Sequence, residues 1–403
     1  MSLNTAVRFG QAIVRSAIWS EKRCNWIGAH DLDGSAKVVH RALEPDLYAG
    51  TCGVAWFLGH LYTAAGNPEV RRTAIGAITQ SLAHITRIKG GRRRRLSFYA
   101  GSLGIAFTAV ELGFRLDAPG LIRDGRRCLD EVIADIHEPG CLDLVTGAAG
   151  AVAALPILAI RLRSDKLLGV AIDLADEIIR RAEVTGIGYS WRSSARRHHR
   201  NLTGFAHGAA GFAYALIELF AATAETRYAD AAQRAFDYER YYYDKEAENW
   251  PDFRETNRRS RRRGPVLTYW CHGAPGIALS RLRAFEVLHD DQCRSEALTA
   301  LRTTERAVAT SLTAGWTDSS LCHGLAGNCE ILVEGLGVQS SQCDVSEHID
   351  LARRGAAECT RRARGVVPLG FFRGLAGIAY FNLRLYDQRH PTLLMLRRES
   401  FVS

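Results

Sequence analysis

The residues best suited to chemistry in this chain are two thiol–imidazole pairs in the same setting. They are Trp270-Cys271-His272-Gly273 and Leu321-Cys322-His323-Gly324, 51 residues apart. A third imidazole, His207, also stands immediately before a glycine, Gly208. Thiolate and imidazole together form a donor set suited to zinc and other tetrahedral sites. Neighbouring helical residues point about 100° apart, so a Cys-His pair can ligate together only in a loop or at a helix end. Four donors would close a structural site, whereas three would leave the open position of a catalytic one. Spacing alone does not choose between these, nor does it exclude reduced, metal-free thiols.

The setting is a repeat. G-x-x-G followed by an apolar run occurs seven times, at Gly50, Gly101, Gly147, Gly208, Gly273, Gly324 and Gly374, at offsets of 51, 46, 61, 65, 51 and 50 residues. Such regularity marks a repeated supersecondary unit. Between the motifs lie amphipathic stretches. In 71–87, Ile75, Ile78, Leu82 and Ile85 share one expected face. Beyond the candidate N-cap Ser164, the expected inward face is Leu167, Val170, Ala171, Leu174 and Ile178. Similar patterns run over 4–19, 119–138, 226–243, 293–312 and 347–364. Strand-like alternation is rare, and no Asn-Gly or Asp-Gly hairpin signal flanked by strands is expected.

Each unit therefore reads as an amphipathic helix, a loop with G-x-x-G, and a helix apolar on nearly all sides that others must enclose. Seven of each fit a ring inside a ring, an all-α, α/α toroid spanning 1–403 as one domain. An open solenoid would need polar terminal caps, and the first and last motifs are as apolar as the middle ones. The glycines are expected to supply positive φ and close backbone approach. Residues beside them should converge on one end of the barrel.

The 403 residues are 47% hydrophobic and 24% charged, an ordinary globular composition that excludes disordered and disulfide-stapled classes. The most apolar run, 147–160, is too short to span a bilayer, and Arg8 and Arg15 interrupt any secretory segment. A cytoplasmic protein is expected, so the ten cysteines should be free and mostly buried. A net charge of +9 is concentrated in 92–95, 192–200 and 254–263. Without interleaved base-stacking aromatics these runs do not read as a nucleic-acid site. They read as solvated loops, or as a basic rim that steers an acidic peptide segment.

With these motifs the chain resembles the lanthionine synthetase cyclases, or LanC-like proteins. The resemblance covers nearly the whole chain and is most specific at Asp143-Leu-Val-Thr-Gly147, Gly204-Phe-Ala-His207-Gly208, Trp270-Cys271-His272-Gly273 and Cys322-His323-Gly324. It implies an α/α toroid with a zinc ion (Zn2+) held by Cys271, Cys322 and His323, leaving water or a substrate thiol in fourth place. His272 is then a neighbour of the metal rather than a ligand.

The activity implied is closure of thioether rings: a peptide Cys adds across a dehydroalanine or dehydrobutyrine made by a separate dehydratase. The substrate would be a dehydrated precursor peptide with its leader. His207 is the expected general acid, since imidazole titrates near neutral pH. Asp143 is expected to orient or charge it, and His272 to help protonate or stabilise the enolate. Some members carry an Arg four residues before the first ligand Cys. This chain has Leu267 there, with Arg263 the nearest in sequence. The length suits a stand-alone cyclase or one cut from a larger synthetase, and a place in a membrane-associated biosynthetic complex is compatible with it. No P-loop or kinase signature points to nucleotide chemistry. Three alternatives stand beside this reading: addition of glutathione or another small thiol to dehydroamino acids, a non-catalytic zinc scaffold, and an α/α glycosidase. The last needs a carboxylate pair, of which Asp143 supplies one half.

Overall fold

The computed structural model describes residues 2–31, 38–85, 95–134, 140–192, 200–255, 265–314, 318–338, 342–363 and 368–402. Most of the three basic runs lies outside these residues. In chain order the described helices are α1 (Ser2–Arg15), α2 (Thr51–Ala65), α3 (Pro68–Ala83), α4 (Ser102–Arg115), α5 (Pro119–Ala134), α6 (Ala148–Leu162), α7 (Asp165–Arg180) and α8 (Ala209–Thr223). They continue with α9 (Thr226–Tyr242), α10 (Ala274–Leu288), α11 (Asp291–Thr313), α12 (Leu325–Glu334), α13 (Gln342–Arg362), α14 (Leu375–Tyr386) and α15 (Glu399–Val402). None of the described helices is long and apolar enough to cross a membrane.

The chain divides into two compact units. Unit 1 holds Met1–Glu138, Ser319–Leu321 and Ala356–Thr392, and unit 2 holds Pro139–Asp318, Cys322–Gly355 and Leu393–Ser403. Within unit 1, α2 packs on α3, α4 on α5, and α14 on the N-terminal helix α1, while α14, α2 and α4 lie side by side. Pairing of the first helix with the last repeat's helix is what a closed arrangement requires and an open solenoid lacks. Within unit 2 the pairs are α6 with α7, α8 with α9 and α10 with α11, and α6, α8, α10 and α12 are successive neighbours.

The two expected helix types are both present. In α8 every residue from Ala209 to Leu219 is buried, whereas α7 buries Leu167, Ala171, Leu174, Ala175 and Ile178 and exposes its other face. Each fully enclosed large apolar side chain stabilises the fold by about 1.5–3 kcal/mol.

Local details depart from the sequence reading in four ways. The buried face of α3 is Val70, Thr73, Ala74, Ala77, Ile78 and Ser81, so the expected face is rotated. Small residues bring α3 close to α2, where Ser81 and Thr51 hydroxyls hydrogen-bond at 2.6 Å. Secondly, α1 ends at Arg15 rather than continuing to 19, and Ile18–Ser20 (β1) pairs with Arg23–Asn25 (β2) as a hairpin. Trp19 of that hairpin packs against Gly76 and beneath Arg72, whose guanidinium lies 4.3 Å from the ring centroid.

Two more hairpins pair Ile27–Asp31 (β3) with Val38–Ala42 (β4) and Glu183–Thr185 (β5) with Gly188–Ser190 (β6). Contrary to the expectation, an Asp-Gly pair, Asp33-Gly34, stands in sequence between the first two strands, outside the described residues, and Gly186-Ile187 stands between the second two. Finally, the first glycine of each motif caps its helix with extended backbone, Gly50 at φ −108° and Gly147 at −142° for example, and Gly273 at φ +86° is the exception. Close approach is the commoner reason for glycine. A Cβ on Gly208 would stand 2.3 Å from the Thr203 carbonyl, and one on Gly211 would stand 2.0 Å from that of Phe205. The loop folds back on the helix start, and the Ala209 N–H donates to the Leu202 carbonyl at 3.1 Å, satisfying a donor that a helix leaves free.

Candidate metal centre and its acid–base neighbours

Unit 2 brings together the loops that precede α6, α8, α10 and α12. The Val145 N–H donates to the Ala206 carbonyl at 3.2 Å, and the Ala206 N–H to the Cys271 carbonyl at 3.1 Å. This backbone ladder fixes the residues that follow each position. Gly204, at φ +94°, lies against Cys271 and His272, with its would-be Cβ 3.2 Å from the His272 Cα.

Cys271, Cys322 and His323 meet: one ligand atom from each lies within 4.8 Å of the others. Both thiols are buried, at 4% and 2% exposure. Cys322 Sγ and His323 Nε2 are 3.6 Å apart. Bonds of about 2.3 Å to sulfur and 2.0–2.1 Å to nitrogen at a tetrahedral angle require a separation of about 3.6 Å. The donor set fits zinc in both chemistry and reach. His272 is buried beside Cys271, and its Nε2 finds no hydrogen-bond partner among the described residues.

The cysteines divide sharply in their acidity. Burial pushes the Cys24, Cys128 and Cys293 thiols up to about 12. Cys271 goes the other way, well below the ordinary thiol value. A hydrogen bond with Cys322 is the largest cause; burial opposes it, and His323 and His272 reinforce it. The nine cysteines whose side chains are described are all thiols, eight of them buried and Cys141 partly so, in line with the expectation of buried thiols.

Asp143 and His207 form the second half of the site. Asp143 is 5% exposed and sits 3.2 Å from His207 Nδ1 through Oδ2. Its Oδ1 accepts from the Thr146 N–H at 2.6 Å, and the Thr146 hydroxyl donates to Oδ2 at 2.8 Å. Burial alone would raise Asp143, but the charge and hydrogen bond of His207, with the Thr146 donors, outweigh it and leave the carboxyl below its usual range. For His207, burial pulls downward, yet Asp143, through charge and hydrogen bond, holds it above its ordinary value, helped by Cys271. His272, 6.0 Å from His207 between ring centroids, is pushed down to about 4 by burial, which outweighs the nearby Cys271 and Asp252 charges. The two neighbouring imidazoles are thus pushed in opposite directions, His207 toward its charged form and His272 toward its neutral one.

Several residues of the site carried no motif. Asn249 accepts from the Ala274 N–H at 2.7 Å and donates to the Leu267 carbonyl at 3.2 Å, bracing the Cys271 loop. Asn328 on α12 donates to the Thr268 carbonyl at 3.0 Å. Buried Asp252 binds the Arg254 guanidinium at 2.6 Å, and the Arg254 charge lowers both His207 and His272. Position 267 is leucine, so the cation acting on both imidazoles comes from a separate segment. Beside the three donors, a groove of about 500 Å³ has His323, Tyr269, Thr303, Arg306, Thr310 and Asn328 among its walls.

The fold is that of an α/α toroid with a thiol–imidazole centre. The chain belongs to the lanthionine synthetase C-like proteins, whose family model matches residues 41–395. It is 22% identical over 360 residues to the zebrafish (Danio rerio) protein named Glutathione S-transferase LANCL1, covering 83% of this chain and 80% of that one. Among solved structures it resembles nisin cyclase with a TM-score of 0.65 and 16% identity, over 89% of this chain and 92% of that one. An α-1,6-mannanase of Salegentibacter sp. HEL1_6 shares the fold more distantly, at a TM-score of 0.51 and 11% identity over 96% and 99%.

Proposed function

We propose that this protein is a zinc-dependent cyclase that forms thioether bonds by adding peptide Cys thiols to dehydroalanine or dehydrobutyrine. The observation that carries the reading is the meeting of Cys271, Cys322 and His323, from two loops 51 residues apart, beside the Asp143–His207 pair. A zinc ion on those three side chains would acidify an incoming thiol, whose free pKa is about 8.5.

In the addition, the thiol gives its proton to solvent, sulfur bonds to the β-carbon, and the π pair moves onto the carbonyl as an enolate. The α-carbon then takes a proton. His207 supplies it, its charged form favoured by Asp143 and its ring partly open to solvent at 27% exposure. His272, neutral and buried, walls the site and offers a ring nitrogen that no group among the described residues hydrogen-bonds. The substrate is a dehydrated precursor peptide delivered by a separate dehydratase, and the locale is the cytoplasm.

A second reading, addition of glutathione to dehydroamino acids, is favoured by the similarity to the zebrafish protein, which is named as a glutathione S-transferase. Incubation with a dehydrated Cys-containing peptide, with and without glutathione, separates the two. Ring closure leaves the peptide mass unchanged and blocks thiol alkylation, whereas an adduct adds the mass of glutathione. Unchanged peptide under both conditions, with metal bound, would leave a zinc scaffold and overturn both enzymatic readings. His207→Ala is expected to keep its metal and lose productive closure; normal turnover would remove His207 from the acid role.

A further inference from the structure

Glu239 lies on the amphipathic helix α9, away from every motif, and is completely buried. Its Oε1 accepts two backbone hydrogen bonds, from the Gly204 N–H at 2.8 Å and the Ala210 N–H at 2.9 Å. Those two amides bracket the loop that carries His207. Its Oε2 faces Arg281 at 3.1 Å, and both side chains have zero exposure. Arg281 belongs to α10, the helix that follows Cys271 and His272, and donates to Glu296 at 2.6 Å while lying over Phe236 at 3.9 Å. Burial pushes Glu239 up in pKa, and Arg281 is the largest influence against it.

A charged side chain at this depth is costly unless paired and hydrogen-bonded. An apolar residue packed among Ala232, Ala235 and Phe236 would fill the same face without that cost. What the carboxylate adds is a rigid hold on both ends of one loop, tied through Arg281 to the helix behind the thiol centre. A ring on a loop pinned at both ends has little room to drift from Asp143.

We infer that Glu239 is a positioning residue for His207, setting the place of its imidazole through the two loop amides. The catalytic part of this rests on the proposed role of His207 as proton donor. Two substitutions separate reach from charge. Glu239→Asp keeps the charge opposite Arg281 but is one methylene too short for both amides, whereas Glu239→Gln keeps the reach and drops the charge.

The first measurement needs no substrate. In metal-loaded protein labelled with 15N-histidine, the Nδ1–H proton that His207 shares with Asp143 is identified by its loss in His207→Gln. It should persist in Glu239→Gln and broaden or vanish in Glu239→Asp. The second is turnover of the dehydrated peptide: kcat of Glu239→Asp should fall by up to about 100-fold, as for a small misplacement of a reacting group, with KM unchanged. Its product should change from one dominant diastereomer to a mixture, because a displaced acid no longer selects one face of the enolate.

Retention of the His207 signal in Glu239→Asp, or equal loss in Glu239→Gln, would overturn the assignment. Should Glu239→Asp fail to fold, Ala210→Pro removes one of the two amide donors in the first helical turn, where proline is tolerated. The same loss of signal is expected there, and its persistence would likewise overturn the idea. If wild-type protein turns over no dehydrated peptide, the proposed reaction fails, while the NMR comparison still decides the role of Glu239.

Discussion

Two residues before the first glycine, unit 1 places Tyr48, Tyr99 and Phe372, and unit 2 places Val145, Ala206, Cys271 and Cys322. The backbone at this position behaves alike in both units. In unit 1 the Phe372 N–H donates to the Tyr48 carbonyl at 2.8 Å, and the Tyr48 N–H to the Tyr99 carbonyl at 2.9 Å. In unit 2 the same ladder runs from Val145 to Ala206 to Cys271. The side chains differ. Tyr48 and Phe372 stack with centroids 5.1 Å apart, and Tyr99 meets Phe372 edge-on at 5.2 Å. The unit 2 loops hold thiols, with His207, His272 and His323 at the next residue. Because the ladder uses main-chain groups, each loop's side chains are free to become either core or site. One scaffold position thus serves aromatic packing in one unit and gathers a thiol–imidazole cluster in the other.

The sharpest way to break this comparison is Cys322→Ala. Loss of one of three donors should abolish stoichiometric metal binding, read by elemental analysis, and lower turnover by at least about 1,000-fold, since metal affinity and activity depend on the full donor set. Full activity with no metal would make the thiols mere core residues, like their aromatic counterparts. Next in size is Phe372→Ala. Truncating a fully buried aromatic ring should cost about 3–5 kcal/mol, seen as a lower denaturant midpoint. Metal content should stay unchanged, and a variant that lost its metal would show the packing loops to be part of the site.

Asp143→Asn tests how the carboxylate tunes His207. The folded pKa of His207 lies above its ordinary 6.5 mainly because the Asp143 charge and hydrogen bond overcome burial. An acid must be protonated to act, so activity should be full below that pKa and fall as pH rises through it. Asparagine removes the charge, so the falling limb of the kcat profile should move to lower pH. At neutral pH, kcat should drop by about 10- to 100-fold, within the contribution of general acid catalysis. An unmoved limb would assign the titration to another group.

The repeat made most of this architecture readable in advance. Seven G-x-x-G motifs at near-regular offsets announced the helix pairs, and the doubled Cys-His-Gly marked the loops whose thiols and imidazole meet. Asp143 was visible through resemblance to the family rather than from its local sequence, where it reads as an ordinary turn carboxylate. The first hairpin escaped because its turn, Glu21-Lys22 with Glu21 at φ +54°, has no turn signature and the Trp19 contact holds it. Asp33-Gly34 and Gly186-Ile187 did stand between the other strand pairs, whose strands of three to five residues are too short to show a clear alternation. Glu239 had one readable signal: it falls on the buried face of α9 in helical register with Tyr228, Ala232 and Ala235. An acid on an apolar stripe invites the question of what it binds, but the answer, two amides 29 and 35 residues away, is long-range and leaves no local trace. Arg254 was hidden for the same reason.

The smallest expected effect contrasts the histidines of the two units. In unit 1, His60 and His390 are buried with Nδ1 atoms 3.0 Å apart, so one ring donates to the other and both are neutral. Burial, followed by the Arg115 charge, pushes His390 down to about 4, and His60 also falls well below its usual value. A histidine with a depressed folded pKa contributes stability that is complete above its unfolded pKa, near 6.5. That stability drains away as pH falls from there toward 4, because the unfolded chain binds the proton first. From pH 7 to pH 5 the loss from His390 alone should be about 2 kcal/mol. His390→Asn can keep a hydrogen bond to His60 without titrating, so its unfolding midpoint should vary less over that interval than that of wild type. An equally steep dependence in the variant would mean that the acid sensitivity arises elsewhere, and the pair would then be a packing contact like the aromatic residues of the neighbouring loops.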